Sequence, residues 1–172
     1  MNGAGAAVIL AAAGVAVMIA AQSAVRDGDV VARSSRNIEL REGRVDIPLQ
    51  PVDSAALTRR LAGLGPDDRV ILSLNDLSAD EAPGTQFAIY FNAPPDQQPR
   101  AGEELGRLAF FNEVRAGRTD APTSSRTFDV TALMRGALRP NSAPPMSVSV
   151  VAQRRPADGA KATIGQVELR IR

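Results

Sequence analysis

GTQFAIYFNAPPD (84–96) sets Phe87, Tyr90 and Phe91 within five positions, in a chain with five Phe, one Tyr and no Trp. Side chains alternate across an extended strand. Phe87, Ile89 and Phe91 therefore share one face, and Ala88 and Tyr90 share the other. Two Phe rings flanking an Ile supply the bulk that the centre of a core needs. The run reads as a core strand of a β-rich fold, with Tyr90 turned to a rim, a second packing layer or a partner. The next stretch, NAPPDQQPRAGEE (92–104), holds Pro94, Pro95 and Pro99 in a polar filling. It predicts a long loop, and long loops are where contacts concentrate.

The same period extends outward from this strand. NIEL (37–40) and RVDIPLQ (44–50) alternate through Ile38, Leu40, Val45, Ile47 and Leu49, a half-buried strand. Pro48 has no N–H to give a ladder, which predicts an edge position. PVDSAALTRRLAGLGPDD (51–68) changes period: Asp53 or Ser54 caps a short helix, Leu57, Leu61 and Leu64 fall on one side, and Gly63 or Gly65 ends it before Pro66. RVILSLNDLS (69–78) returns to strand with Val70, Leu72 and Leu74 on one face, and ADEAPG (79–84) is a turn. LGRLAFFNEV (105–114) is the next strand, followed by a polar loop over 115–126. TFDVTALMRGALRP (127–140) starts as a strand; Asp129 or Thr131 then caps a helix with Leu133, Met134 and Leu138 inward.

MSVSVVAQ (146–153) alternates with Met146, Val148 and Val150 inside and Ser147 and Ser149 outside. RRPADGAK (154–161) reads as a hairpin-like turn around Asp158-Gly159. In ATIGQVELRI (162–171), Ile164 is offset from Val167, Leu169 and Ile171, so Gly165 marks a bulge that resets the face. Seven or eight short strands with two short helices predict a mainly β chain, an antiparallel β-sandwich of jelly-roll type.

Composition excludes more chemistry than it supplies. The 172 residues carry 20 basic and 19 acidic side chains, a net charge of +1, with no field to gather nucleic acid. There is no Cys and no His, so the thiolate nucleophile, the disulfide, the usual neutral-pH base and the commonest transition-metal ligand are all missing. Carboxylate-only catalysis would need an acid pair at a recognisable spacing, and none stands out. The expectation is a chain that is not an enzyme and has no catalytic, cofactor-binding or metal-ligating residues.

NGAGAAVILAAAGVAVMIAAQSAV (2–25) has no ionisable side chain before Arg26. It is long enough to cross a bilayer core. A preceding hydrophobic helix acting as a single-pass transmembrane anchor is the leading reading. A signal peptide cleaved at Ala21-Gln22-Ser23, leaving a secreted protein, and a buried Ala-rich helix are the others. RDGDVVARSSR (26–36) reads as the tether leaving the membrane, and 37–172 as the domain. Arg26, Arg33, Arg36, Arg41 and Arg44 follow the segment. Counted strictly, they hold the domain in the cytoplasm, whereas a signal-anchor exports it.

Several stretches, in order, resemble one known domain. QFAIYFNAPP (86–95) resembles the KFDVYVNAP strand in the C-terminal domain of plant polyphenol oxidases and many bacterial tyrosinases. GRLAFFNEV (106–114), TFDVTALMRGAL (127–138), and VSVVAQRR followed by ATIGQVELRI resemble later strands of that domain, and IELREGRVDIPL (38–49) its preceding linker strand. The resemblance covers 37–172. It implies a β-sandwich that, in those enzymes, lies over a di-copper site and shields it. The catalytic domain that supplies the copper-binding histidines has no counterpart here; a hydrophobic segment stands in its place. The resemblance thus implies the lid without the enzyme, on the exported side of the membrane.

The function expected on these grounds is a membrane-tethered interaction module, held through residues 3–25, that meets a protein partner, with a copper oxidase as the candidate, and no nucleic acid. Candidate partner contacts are Tyr90, Pro94, Pro95, Arg100 and Phe111, since of Phe110 and Phe111 only one can join the main core layer. A small-ligand or carbohydrate-binding sandwich is the alternative, with Tyr90 as its stacking residue. Asn75, Asp76, Asp80 and Glu81 are weakly spaced for calcium. Arg59-Arg60 and Arg154-Arg155 read as solvated charges that anionic lipid headgroups can meet.

Overall fold

The computed structural model describes residues 29–110, 114, 124–137 and 146–172. In chain order the elements are β1 (Asp29–Arg33), β2 (Ile38–Leu40), β3 (Arg44–Pro48), β4 (Gln50–Pro51), α1 (Ser54–Ala62), β5 (Val70–Ala79) and β6 (Phe87–Phe91). One turn of 3-10 helix, Ala101–Glu103, precedes β7 (Glu104–Leu108). Then come β8 (Ser124–Asp129), α2 (Thr131–Ala137), β9 (Ser147–Ala152), β10 (Ala162–Ile164) and β11 (Gln166–Ile171). One sheet orders β2-β10-β5-β11-β1-β4, with β8 on the other edge of β5; a second orders β3-β9-β6-β7. Every pairing of named strands is antiparallel, and neither sheet closes on itself.

Both sheets feed one apolar cluster. Leu72, Leu74, Val167 and Leu169 enter it from the first sheet, and Ile47, Phe87, Ile89, Val148 and Val150 from the second. Leu57 and Leu61 of α1 and Met134 of α2 close its ends. Phe110 joins too, its ring edge-on to Phe87 at 5.7 Å between centroids. Such an edge-to-face pair adds about 1 kcal/mol beyond the buried area.

Local rules account for the helices. Asp53 accepts a hydrogen bond from the Ala56 N–H at 2.9 Å, and Gly63 ends α1. α2 is fastened through Thr131. Its N–H and hydroxyl both donate to Asp129 Oδ1, while its hydroxyl oxygen accepts the buried Val70 N–H at 2.8 Å. β5 therefore starts on a side-chain oxygen where β8 ends.

β5 serves two partners along one edge. Val70–Asn75 pairs with β11, and Ser78–Ala79 pairs with β10. Between them Asp76 sits at φ +54 opposite Gly165, whose N–H donates to the Asn75 and Asp76 carbonyls. A Cβ on Gly165 would lie 2.4 Å from the Asp76 Cβ, so only Gly fits. The expected bulge is present, and it lets the first sheet turn without losing its ladder.

Several expectations are corrected. Residues 29–33 of the expected tether are β1, paired with β11 on one side and β4 on the other. A register shift between Val30 and Ala32 turns Val31 and Ala32 both inward, which erased the period-two signal. The strand expected across 37–50 is split between the two sheets, with Gly43 at φ +82 in the corner. Its second half, β3, is the edge strand that Pro48 predicted. The strand expected over 105–114 ends at Leu108. The turn expected around Asp158-Gly159 is present, with Gly159 at φ +86, but it closes no hairpin, because β9 and β10 lie in different sheets. Leu133 faces outward at 47% exposure, while Met134 takes the inward position. Leu138 and the hydrophobic segment 2–25 lie outside the described residues. Among those described, no helix is long and apolar enough to cross a membrane.

Candidate functional site

The outer face of the second sheet carries the chain's only tyrosine. On β6, Phe87, Ile89 and Phe91 face the main core, while Ala88 and Tyr90 point away and pack with Ala93 and Val151 as a separate small cluster. Tyr90 is 6% exposed. What covers it is the loop after β6, and that loop is held by a polar cluster on the neighbouring strands. Ser149 of β9, expected outside, is fully buried there.

Arg44 of β3 holds the loop. Its Nε donates to Asp46 Oδ1 at 2.7 Å, and its Nη2 donates to Ser149 Oγ and to the Ala93 carbonyl, both at 3.0 Å. Its Nη1 donates to the Gln97 carbonyl at 2.7 Å. Ser149 Oγ donates in turn to Asp46 Oδ1 at 2.6 Å. A planar guanidinium with several fixed donors suits such a junction. The chain leaves β6 through Asn92 at φ +53, whose side-chain oxygen accepts the Ser147 N–H at 2.8 Å. It returns to β7 through the 3-10 turn, where the Arg100 N–H donates to Glu103. The first half of the loop is therefore held to β3 through Ala93 and Gln97, and its second half closes on itself through Arg100 and Glu103.

At the rim of this face is a cavity of about 320 Å³ lined by Tyr90, Phe91, Pro94, Glu103, Leu133 and Ala137. The Tyr90 hydroxyl has no hydrogen-bond partner among the described residues. Burial pushes its pKa upward, and the neighbouring Glu104 adds to the rise; Arg107, paired with Glu104 at 2.7 Å, offsets part of it. The hydroxyl is thus a neutral donor near neutral pH. The wall is largely apolar, with the Tyr90 hydroxyl beside the polar side chains of Asn92 and Glu103, a combination that accepts a hydrophobic group bearing a polar end.

Of the sequence-predicted contacts, Tyr90 and Pro94 line this cavity, and Pro95 and Arg100 are exposed on the same loop. Phe111 lies outside the described residues. Phe110, the other half of its doublet, is in the core. Arg44, Asp46, Ser149 and Leu133 were not among the predicted site residues. The pair of small serines in β9 was the available signal, because a small polar residue leaves room for a long side chain from the next strand. A larger cavity, about 570 Å³, is lined by Pro83, Thr85, Gln86, Arg107, Phe110 and Arg154 where β6 begins and β9 ends. The acidic residues of 75–81 do not converge: among the described residues no three acidic side chains gather as metal ligands do.

No protein-family model and no curated protein sequence matches the chain. Among solved structures it is similar to polyphenol oxidases. Recombinant latent aurone synthase aligns over 80% of this chain and 24% of its own, at 14% identity and a TM-score of 0.42. The same enzyme from its natural source aligns over 79% and 24%, at 12% identity and a TM-score of 0.40. The chain spans about a quarter of those polyphenol oxidase chains. They belong to the group whose strands it resembles in sequence.

Proposed function

We propose that this chain is a non-catalytic, membrane-tethered β-sandwich that acts as an interaction module, an accessory or shielding subunit for an oxidase-like partner. The observation that carries the reading is the Tyr90 face. A rigid sheet presents a tied-down loop and a largely apolar cavity lined by Tyr90, Pro94 and the exposed Leu133. Buried hydrophobic pockets edged by rigid backbone are where partner side chains anchor. The chain has neither His nor Cys for redox work of its own. The partner's class comes from the sequence resemblance of 86–95, 106–114 and 127–138, and the tether from the uncharged run 2–25.

The test uses the full chain as bait in solubilised membranes, beside Leu133→Asp. The reading expects a copper oxidase held by the parent chain and lost by the variant, with phenol oxidation rising once the chain is stripped away. If both baits hold the same proteins, the reading is lost. The Tyr90 hydroxyl, which has no hydrogen-bond partner among the described residues, favours a second reading, a small-ligand-binding sandwich. There, Tyr90→Phe would weaken binding of a carbonyl-bearing aromatic probe while leaving partner capture intact.

A further inference from the structure

β1 begins at Asp29, and the last residue of the uncharged run is Val25, so three residues separate them. Four extended Cα steps span at most about 14 Å. β1 is not slack: it is paired with β11 and β4, and Ala32 is fully buried. If residues 2–25 enter a bilayer, the end of the domain around Asp29 is therefore confined to the headgroup region. Three residues are too few to let another face of the domain turn toward the membrane.

That end has a particular chemistry. Arg60 of α1 pairs with Asp29 itself. Arg59, Arg60 and Arg172 line one shallow depression of about 520 Å³ with Ala56 and Asp68. Asp68 is engaged by the Gly65 N–H at 2.7 Å. Arg59 is exposed and has no ion-pair partner among the described residues. Val52, whose N–H donates to the Val31 carbonyl two residues from Asp29, is 52% exposed, the most exposed large apolar residue described. Guanidinium groups and an outward apolar residue, each next to β1 or its partner strand, suit an anionic lipid surface.

We propose that the Asp29 end of the domain, with Arg59 and Arg60 of α1 and the side chain of Val52, rests on the headgroups of an anionic bilayer. The inference rests on the membrane-tethered reading and adds which face of the domain meets the lipid. It fixes the opposite end as the distal one. β5 runs from Val70, which shares Ile171 with Asp29, to Ala79, about 30 Å away at strand rise. The loop carrying Ala157 joins Pro83 at that far end.

The absence of Cys makes the test clean. Ala62→Cys, at the exposed end of α1, and Ala157→Cys, in the far loop, give single labelling sites in the full chain. Each labelled protein is added to vesicles of equimolar phosphatidylcholine and phosphatidylglycerol containing a headgroup-nitroxide lipid. Floated chain should show several-fold stronger quenching at position 62 than at 157. Arg59→Gln should narrow that difference in these vesicles and leave it unchanged in pure phosphatidylcholine. Floated chain with equal quenching at both sites, or no effect of Arg59→Gln, overturns the lipid-facing end while leaving the tether standing. Chain that does not float overturns both.

Discussion

Tyr90 is the single tyrosine in a chain without tryptophan, so its absorbance and emission report one site. Burial and the carboxylate of Glu104 both disfavour the phenolate. The tyrosinate band should therefore rise with a midpoint above the ordinary value of about 10, and a midpoint at or below it would show that the ring is not covered as described. Because the folded pKa is raised, this group's contribution to stability is present below the unfolded pKa and is lost as pH climbs through the folded one. Tyr90→Phe should change stability by less than about 1 kcal/mol, since among the described residues the hydroxyl gives up no hydrogen bond. At Gly165 the outcome is steric. Gly165→Ala should cost about 1–3 kcal/mol through overpacking. In an Asp76→Gly background the same change should cost much less, because the clash is between two Cβ atoms. Equal costs in the two backgrounds, measured by urea unfolding, would place the strain elsewhere.

At the scale of elements, two polar devices join pieces far apart in the chain. Arg44 ties β3 to the loop 93–97 and to β9 with three hydrogen bonds, and a fourth to Asp46 on its own strand holds its guanidinium in place. Removing it leaves the buried Ser149 bonded to an Asp46 that has lost its ion-pair partner. Arg44→Ala should cost about 1–3 kcal/mol, and it should expose the 93–104 loop to limited proteolysis. Arg44→Lys should not restore protection, since an ammonium cannot span the same acceptors. Thr131 fastens α2 to β5 in the same manner. Its two hydrogen bonds to Asp129, helped by Arg69 and Arg135, hold the Asp129 carboxyl below its usual range. A depressed folded pKa stabilises above the unfolded value and is lost as pH falls through the folded one. Thr131→Val should flatten that part of the acid unfolding curve, and should orphan the buried Val70 N–H as well. An acid limb unchanged by Thr131→Val would mean that Asp129 is not held by this contact.

At the scale of the whole molecule, one shared core means one cooperative unit. Leu72 and Val150 come from different sheets yet sit in the same cluster, both almost without exposure. Tyr90 emission, which reports the second sheet, and far-ultraviolet dichroism, which reports both, should follow a single transition. Leu72→Ala in the first sheet should shift both probes together by about 2–5 kcal/mol. Two separate transitions would show that the sheets fold as separate units.

The local vocabulary was legible because it depends on near neighbours. The alternation of Phe87, Ile89 and Phe91 against Ala88 and Tyr90, the Asp53 cap of α1, Pro48 at an edge and the Gly165 bulge all follow from a few adjacent side chains and their backbone preferences. What the chain does at long range was not written in any window. β1 was hidden because a bulge places Val31 and Ala32 on one side. β2 and β3 go to different sheets because a corner at Gly43 sends them to different partners. Only the folded chain brings Arg44 within reach of Ala93, Gln97 and Ser149, more than forty positions away. Side-chain period is a property of one strand, whereas pairing and coverage depend on which distant strand arrives beside it. The tertiary structure therefore decided where Tyr90 is buried, what holds the loop above it and which end of the domain the chain enters.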